Sequence, residues 1–197
     1  MTILITGFEP FLDHESNPTQ DVLTQLGTEI HGHAIHTVLL PVLYDKAFDI
    51  LLPLLEEYRP DLVLMLGLAS GSKHIRLERI AINLSDSLHP DNAGIIHHNQ
   101  TILADGDTAY FSTLPLDAIQ TQLQQNSVPV TISNTAGLYV CNNLFYHMMH
   151  HIKTNHLTTL AGFIHVPDVS SDTAELSLSS IRDAIYIITK SILNEKE

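Results

Sequence analysis

Apolar residues in this chain come in two patterns: short β-branched runs, and longer stretches where they recur every three or four positions. Thr2–Thr6, Ala34–Leu40, Leu62–Leu66, Val128–Ile132 and Thr158–Val166 are runs of the first kind and read as strands, several of them apolar enough for burial on both faces. The stretches between them read as helices. One starts with Asn17 as N-cap and Pro18 at the first helical position, continues through Val22, Leu23 and Leu26, and stops at Gly27. Tyr44–Tyr58 carries Ala47, Ile50, Leu51, Leu54 and Leu55 on one stripe, with Pro53 as an expected kink. Leu116–Gln125 reads as a third helix. Leu144, Phe145, Met148, Met149 and Ile152 predict a fourth that ends near Lys153, and Ala174–Leu193 a closing one. Strands alternating with helices in this order call for an α/β sandwich: one domain over 1–197, with a mostly parallel central sheet and helices on both faces.

Two stretches depart from that rhythm. Ile75–Asn83 alternates like a strand but carries Glu78 in its middle, a carboxylate that in isolation reads as part of a solvated face, with Arg76 or Arg79 as its only partners. Residues 85–107 are irregular and polar, with Pro90–Gly94 and the pair His97–His98, and a stretch of that length is commonly a functional or interface loop. An apolar oligomer contact among residues 84–107 is one such use.

Composition narrows the options. The chain has 197 residues, 44% of them hydrophobic, enough for a full core. Nine basic against 22 acidic side chains give a net charge of −13, which argues against attraction to nucleic acid or to an anionic membrane. No apolar run is long enough to span a bilayer. The N-terminus shows neither a basic leader nor a signal-peptide core. A single cysteine rules out an internal disulfide and suits a reducing cytoplasm.

That cysteine, Cys141, falls just past a strand and a tight corner at Ala136-Gly137, in or near the first turn of the fourth helix. A helix start favours negative charge and is expected to lower a thiol pKa; the plainer alternative is a small hydrophobe in the core. Reactivity needs partners. His165 closes the strand run 158–166, and Glu78 offers a carboxylate, so thiol, imidazole and acid would make a nucleophile, a general base and an orienting group. Amides at the helix start would supply an oxyanion hole. Phe8 and Phe11 follow the first strand, where they either line an apolar pocket or cap the core.

The chain resembles pyrrolidone-carboxyl peptidases (pyroglutamyl peptidase I), nearly end to end. The resemblance rests on Ile5–Phe11 (ITGFEPF), Asn17-Pro18, Leu77–Asn83 (LERIAIN), Pro90–Asn92, Ala109–Pro115 (AYFSTLP), Ser133–Asn142 (SNTAGLYVCN) and Gly162–Pro167 (GFIHVP). It implies a cysteine exopeptidase that removes an N-terminal pyroglutamyl residue from peptides, with Cys141 as nucleophile, His165 as base and Glu78 as orienting acid. It implies that Phe8, Phe11 and Asn17 help form the lactam pocket beside Tyr139 and Val140, that no cofactor or metal is needed, and that the assembly is a homotetramer. Three departures stand out. Leu88 replaces an arginine that many members carry, Leu68 replaces a glutamine found in some, and the segment after Pro167 is shortened. Loss of the arginine is expected to raise the Cys141 pKa and weaken turnover. Two rival readings follow: an inactive member that only binds pyroglutamyl peptides, and a metal-binding protein using His147, His150 and His151 with His97 and His98.

Overall fold

The computed structural model of the protein describes residues 1–169 and 174–194. In chain order its elements are β1 (Thr2–Phe8), α1 (Pro18–Gln25), β2 (Glu29–Ile30), β3 (His33–Leu40), α2 (Lys46–Tyr58), β4 (Leu62–Ala69), β5 (Ile75–Glu78), β6 (Ile80–Ile82), β7 (Ala109–Phe111), α3 (Leu116–Gln125), β8 (Val130–Ser133), α4 (Val140–Thr154), β9 (Leu160–Pro167) and α5 (Leu178–Asn194). The main sheet has the order β2-β3-β1-β4-β9-β5-β8, and β6 pairs with β7 apart from it. From β3 through β9 the strands are parallel. β5 then runs antiparallel to β9, and β8 follows β5.

Strand alternation sorts the core into two layers. Ile3, Ile5, Leu62, Leu64, Leu66, Ile164 and Val166 face α1, α3 and α5. Leu4, Phe8, Val63, Met65, Ala161 and Phe163 face α2 and α4. Each fully buried side chain of this size contributes roughly 1.5–3 kcal/mol, and the sheet is covered on both faces, which is what a parallel sheet requires. The expected α/β sandwich is therefore the observed one.

Several boundaries move, each for a local reason. β4 continues beyond the apolar run Leu62–Leu66, through Gly67 to Ala69. Gly67 marks a close approach instead of a stop: a Cβ there would lie 2.7 Å from the Phe163 ring and 3.0 Å from Cys141 Sγ. The closing helix begins at Leu178, four residues later than its apolar period suggests, because Ser177 Oγ accepts from the Ser180 amide as a cap. Ile75–Asn83 is two strands in two sheets, with Arg79 between them; its amide donates to Ser133 O, while its carbonyl accepts from Ser112 N. The short strand β2 has no counterpart in the apolar pattern. Part of the shortened segment after Pro167, residues 170–173, lies outside the described residues.

Residues 83–107 contain no regular element beyond a bridge between Ser85 and Gln100, yet side-chain amides and carboxylates pin them closely. Asn83 bonds Leu103 on both its amide atoms, Asp91 accepts from Tyr44 N, Ala93 N and Ile95 N, and Asn92 donates to Pro10 O. Asn142, on the first turn of α4, donates to Ile82 O and Leu84 O and accepts from Ile82 N. That buried amide fixes the start of α4 to the second sheet. Replacing it (Asn142→Ala) strands several polar groups at once, and we expect a loss of about 2–4 kcal/mol in unfolding free energy by urea titration.

Candidate active site

The antiparallel joint between β5 and β9 builds the polar half of the site. Arg76 pairs with His165 and Glu78 with Phe163 across the joint, and residues opposite or two apart share a face. All four side chains thus project from one face of the sheet, while Ile75, Leu77, Ile164 and Val166 fill the other. Glu78 is completely buried, contrary to a solvated strand face. Its Oε1 lies 2.8 Å from His165 Nδ1, which leaves Nε2 of the imidazole for other work. Arg76 Nε lies 3.3 Å from the same oxygen. Arg79 turns elsewhere, donating to Asn134 Oδ1 at 2.9 Å.

The thiol half comes from α4, packed on the same face. Cys141 is the second residue of that helix, and no side chain caps the helix start, so first-turn amides are left for an incoming anion. Cys141 Sγ lies above Gly67 of β4, whose register partner on β9 is His165. Cys141 and His165 line the same cleft of about 440 Å³, with Arg76 and the 135–137 turn on its wall. Cys141, His165 and Glu78 are thereby brought to one place from α4, β9 and β5.

Beside the thiol a second, inner cavity of about 10 Å³ closes down to the size of one water. Phe8, Phe11, Asn17, Tyr139 and Val140, the pocket residues named from the sequence, all line it together with Cys141. Val42 and Leu68 complete the wall; Val42 carries no signal in the sequence beyond being apolar. Phe8 both lines this cavity and belongs to the core, so the two readings of it hold together. Asn17 is committed to the turn it caps: Oδ1 accepts from Thr19 N at 3.0 Å and Thr19 Oγ1 at 2.8 Å, and Nδ2 donates to Glu9 O at 3.0 Å. The Tyr139 hydroxyl donates to Pro90 O at 2.7 Å, tying the cavity to the 83–107 segment. Burial, followed by the charges of Asp91 and Cys141, pushes the Tyr139 pKa up to about 12.

The thiol itself does not follow the helix-start expectation. Burial pushes the Cys141 pKa up to about 12; the nearby Glu78 charge adds to the rise and the helix amide opposes it only in part. Desolvation thus outweighs the dipole, and the sulfur rests protonated. Leu88, at the position of the missing arginine, is 87% exposed, while Ser87 and His89 on either side line the cleft. The guanidinium beside the site is that of Arg76.

The histidines of the metal reading are engaged separately. His147 lies 3.3 Å from Asp45 Oδ1 and stacks on Phe48. His150 meets the Tyr110 hydroxyl, His151 the Asn155 amide, His97 the Tyr44 ring and His98 the Asp86 carboxylate. Among the described residues no group of three or more His, Cys, Asp or Glu is placed to hold a metal ion, and no helix is long and apolar enough to cross a membrane.

Comparison with known proteins places this geometry in context. The family model "Pyroglutamyl peptidase" matches residues 1–185. The chain is 38% identical to a pyrrolidone-carboxylate peptidase of Brachyspira hyodysenteriae, with 98% of this chain and 99% of that protein aligned. It is 39% identical to one of Thermococcus onnurineus, over 98% and 99% respectively. A mutant pyrrolidone carboxyl peptidase from Pyrococcus furiosus superposes with a TM-score of 0.95 at 35% identity over the full length of both chains. Pyroglutamyl peptidase I from Bacillus amyloliquefaciens does so with 0.92 at 31% identity, covering 97% of this chain and 94% of the other.

The raised thiol pKa has a direct consequence. Iodoacetamide reacts with thiolate, and well below the pKa the thiolate fraction grows about tenfold per pH unit. Labelling of Cys141 should therefore accelerate continuously from about pH 6 to about pH 9. A rate already level by about pH 7 would mean a sulfur ionised at rest.

Proposed function

The chain belongs to the pyroglutamyl peptidase family, and from that premise we propose how its residues divide the work. The chain is a cysteine-type omega-peptidase that hydrolyses the amide bond after an N-terminal pyroglutamyl residue. In our reading the whole chain, 1–197, is one peptidase domain, with Cys141 as nucleophile, His165 as general base and acid, and Glu78 as the group that orients the imidazole. The observation that carries this is the adjacency of thiol and aromatic-walled cavity: a neutral lactam ring seated among Phe8, Phe11, Tyr139 and Val140 presents its exocyclic carbonyl to Cys141. No carboxylate lines either the cavity or the cleft among the described residues. A free α-ammonium would find no counter-charge there, whereas a blocked, uncharged N-terminus needs none. The inner cavity is narrower than a lactam ring, so Phe11 or Leu68, which border both spaces, yields as the ring enters.

The chemistry follows from the protonation states. At rest Cys141 is a thiol, so attack and deprotonation go together: Sγ bonds to the pyroglutamyl carbonyl carbon while its proton passes to Nε2 of His165. Glu78, on Nδ1, stabilises the imidazolium that results. Amides at the start of α4 receive the oxyanion. Collapse breaks the C–N bond, and the leaving amine takes the proton from His165, leaving a thioester on Cys141. Water then attacks, again giving a proton to His165. Collapse releases pyroglutamate and returns the proton to sulfur.

No metal or cofactor enters this scheme. The lone cysteine, present as a free thiol, fits a reducing cytoplasm. We read the assembly as a homotetramer; exposed Leu88, Ile95 and Ile96 on the 83–107 segment, with Phe111 on β7, offer apolar surface for subunit contact. Sedimentation equilibrium tests that directly, the expected mass being four times the 21.9 kDa chain.

Mutagenesis tests the roles. With a pyroglutamyl-amide substrate, Cys141→Ala and His165→Ala should each lower kcat by at least about 10³-fold, and Glu78→Gln by roughly 10²-fold or more. Release that survives Cys141→Ala would remove the nucleophile assignment. Binding of pyroglutamyl peptides by wild-type protein without cleavage would favour the inactive reading.

A further inference from the structure

Arg76 precedes Glu78 by two residues on β5, so both side chains leave the same face of the strand. Its Nε approaches Glu78 Oε1 at 3.3 Å, the oxygen that also meets His165 Nδ1 at 2.8 Å. The other end of the guanidinium reaches across to β8 and beyond, Nη2 donating to Ser133 Oγ at 2.7 Å and to Thr135 O at 2.9 Å. Ser133 closes β8, and Thr135 lies on the turn that leads to Cys141. One side chain therefore joins the buried carboxylate to the segment that delivers the thiol.

The groups around Glu78 leave Arg76 as its counter-charge. From β9 it faces His165, whose imidazole must gain and lose a proton during turnover. From α4 it faces Cys141, whose thiol feels its charge; from β8 its register partner is the uncharged Ser133. Arg79 bonds Asn134 instead. Among the described residues Arg76 is thus the permanent cation in contact with Glu78, and Glu78 Oε2 has no hydrogen-bond partner to share that task. A buried carboxylate without a fixed cation is strongly disfavoured.

Resting on the assignment of Cys141, His165 and Glu78 above, we propose that Arg76 is a positioning residue for the hydrolysis: it compensates Glu78 and fastens it to the Ser133–Thr135 turn, so that the acid stays behind His165 while the thiol segment keeps its place. Arg76 acts through Glu78 and transfers no proton itself.

The test compares kcat and KM for a pyroglutamyl-amide substrate in R76M, R76K, E78Q and R76M/E78Q, with thermal unfolding followed for each and C141A as reference. R76M should lower kcat about 10- to 100-fold with KM within about threefold. In the E78Q background the same change should alter kcat by less than about threefold, because the group it acts through is gone. R76K retains a cation and should stay within about tenfold of wild type. The proposal is overturned if R76M equals wild type, or if its full loss reappears on top of E78Q. Should methionine at 76 prevent folding, R76K decides, and a loss beyond about 100-fold in folded R76K overturns it. Failure of the underlying assignment would register elsewhere, as turnover surviving in C141A.

Discussion

The constraint that organises this molecule is a buried carboxylate. Glu78 sits with no solvent contact, and a charge in that position is tolerated only where fixed partners surround it. His165 and Arg76 meet one of its oxygens from two directions, and that arrangement depends on β5 running antiparallel to β9. A parallel β5 would meet β9 in a different hydrogen-bond pattern and without the opposed pairs that set Arg76 beside His165 and Glu78 beside Phe163. The reversal at β5, distinct from the antiparallel edge pair β2–β3, therefore lies where the polar side chains gather.

Much of the architecture was legible because the sheet is covered on both faces. Strands such as Leu62–Leu66 then read as unbroken apolar runs, and helices as stripes. What escaped was set by contacts that no local pattern records. Gly67 looks like a strand stop, and only the position of Phe163 and Cys141 shows why a side chain is excluded there. β2 is two residues long, too short for any period. The 83–107 segment looks loose in composition, yet its order comes from Asn83, Asp91 and Asn92 bonding chain far from themselves.

The site was legible differently. Cys141 stood out as a lone thiol at a helix start, and His165 as an imidazole at a strand end, but 13 histidines and 22 acids make many accidental trios. The family resemblance, not spacing, selected Glu78. Arg76 and Arg79 were both legible as partners of Glu78, and the strand period favours Arg76, since a cation two residues before a strand carboxylate lies on its face. Leu88 is exposed and sits between Ser87 and His89, which line the cleft.

The thiol shows how two correct local rules compete. A helix N-terminus stabilises an anion by roughly 0.3–1 kcal/mol when exposed and up to about 2 kcal/mol when partly buried, whereas dense burial can move a pKa by as much as 3–5 units, at about 1.36 kcal/mol per unit. Burial wins at Cys141, and the neighbouring carboxylate adds to it. In the reaction proposed here the same two features would serve the chemistry: Glu78 would stabilise the imidazolium that forms when the proton moves, and the crowded surroundings would keep the helix amides effective toward an oxyanion. In that proposal the sulfur would become a strong nucleophile only as its base accepts the proton.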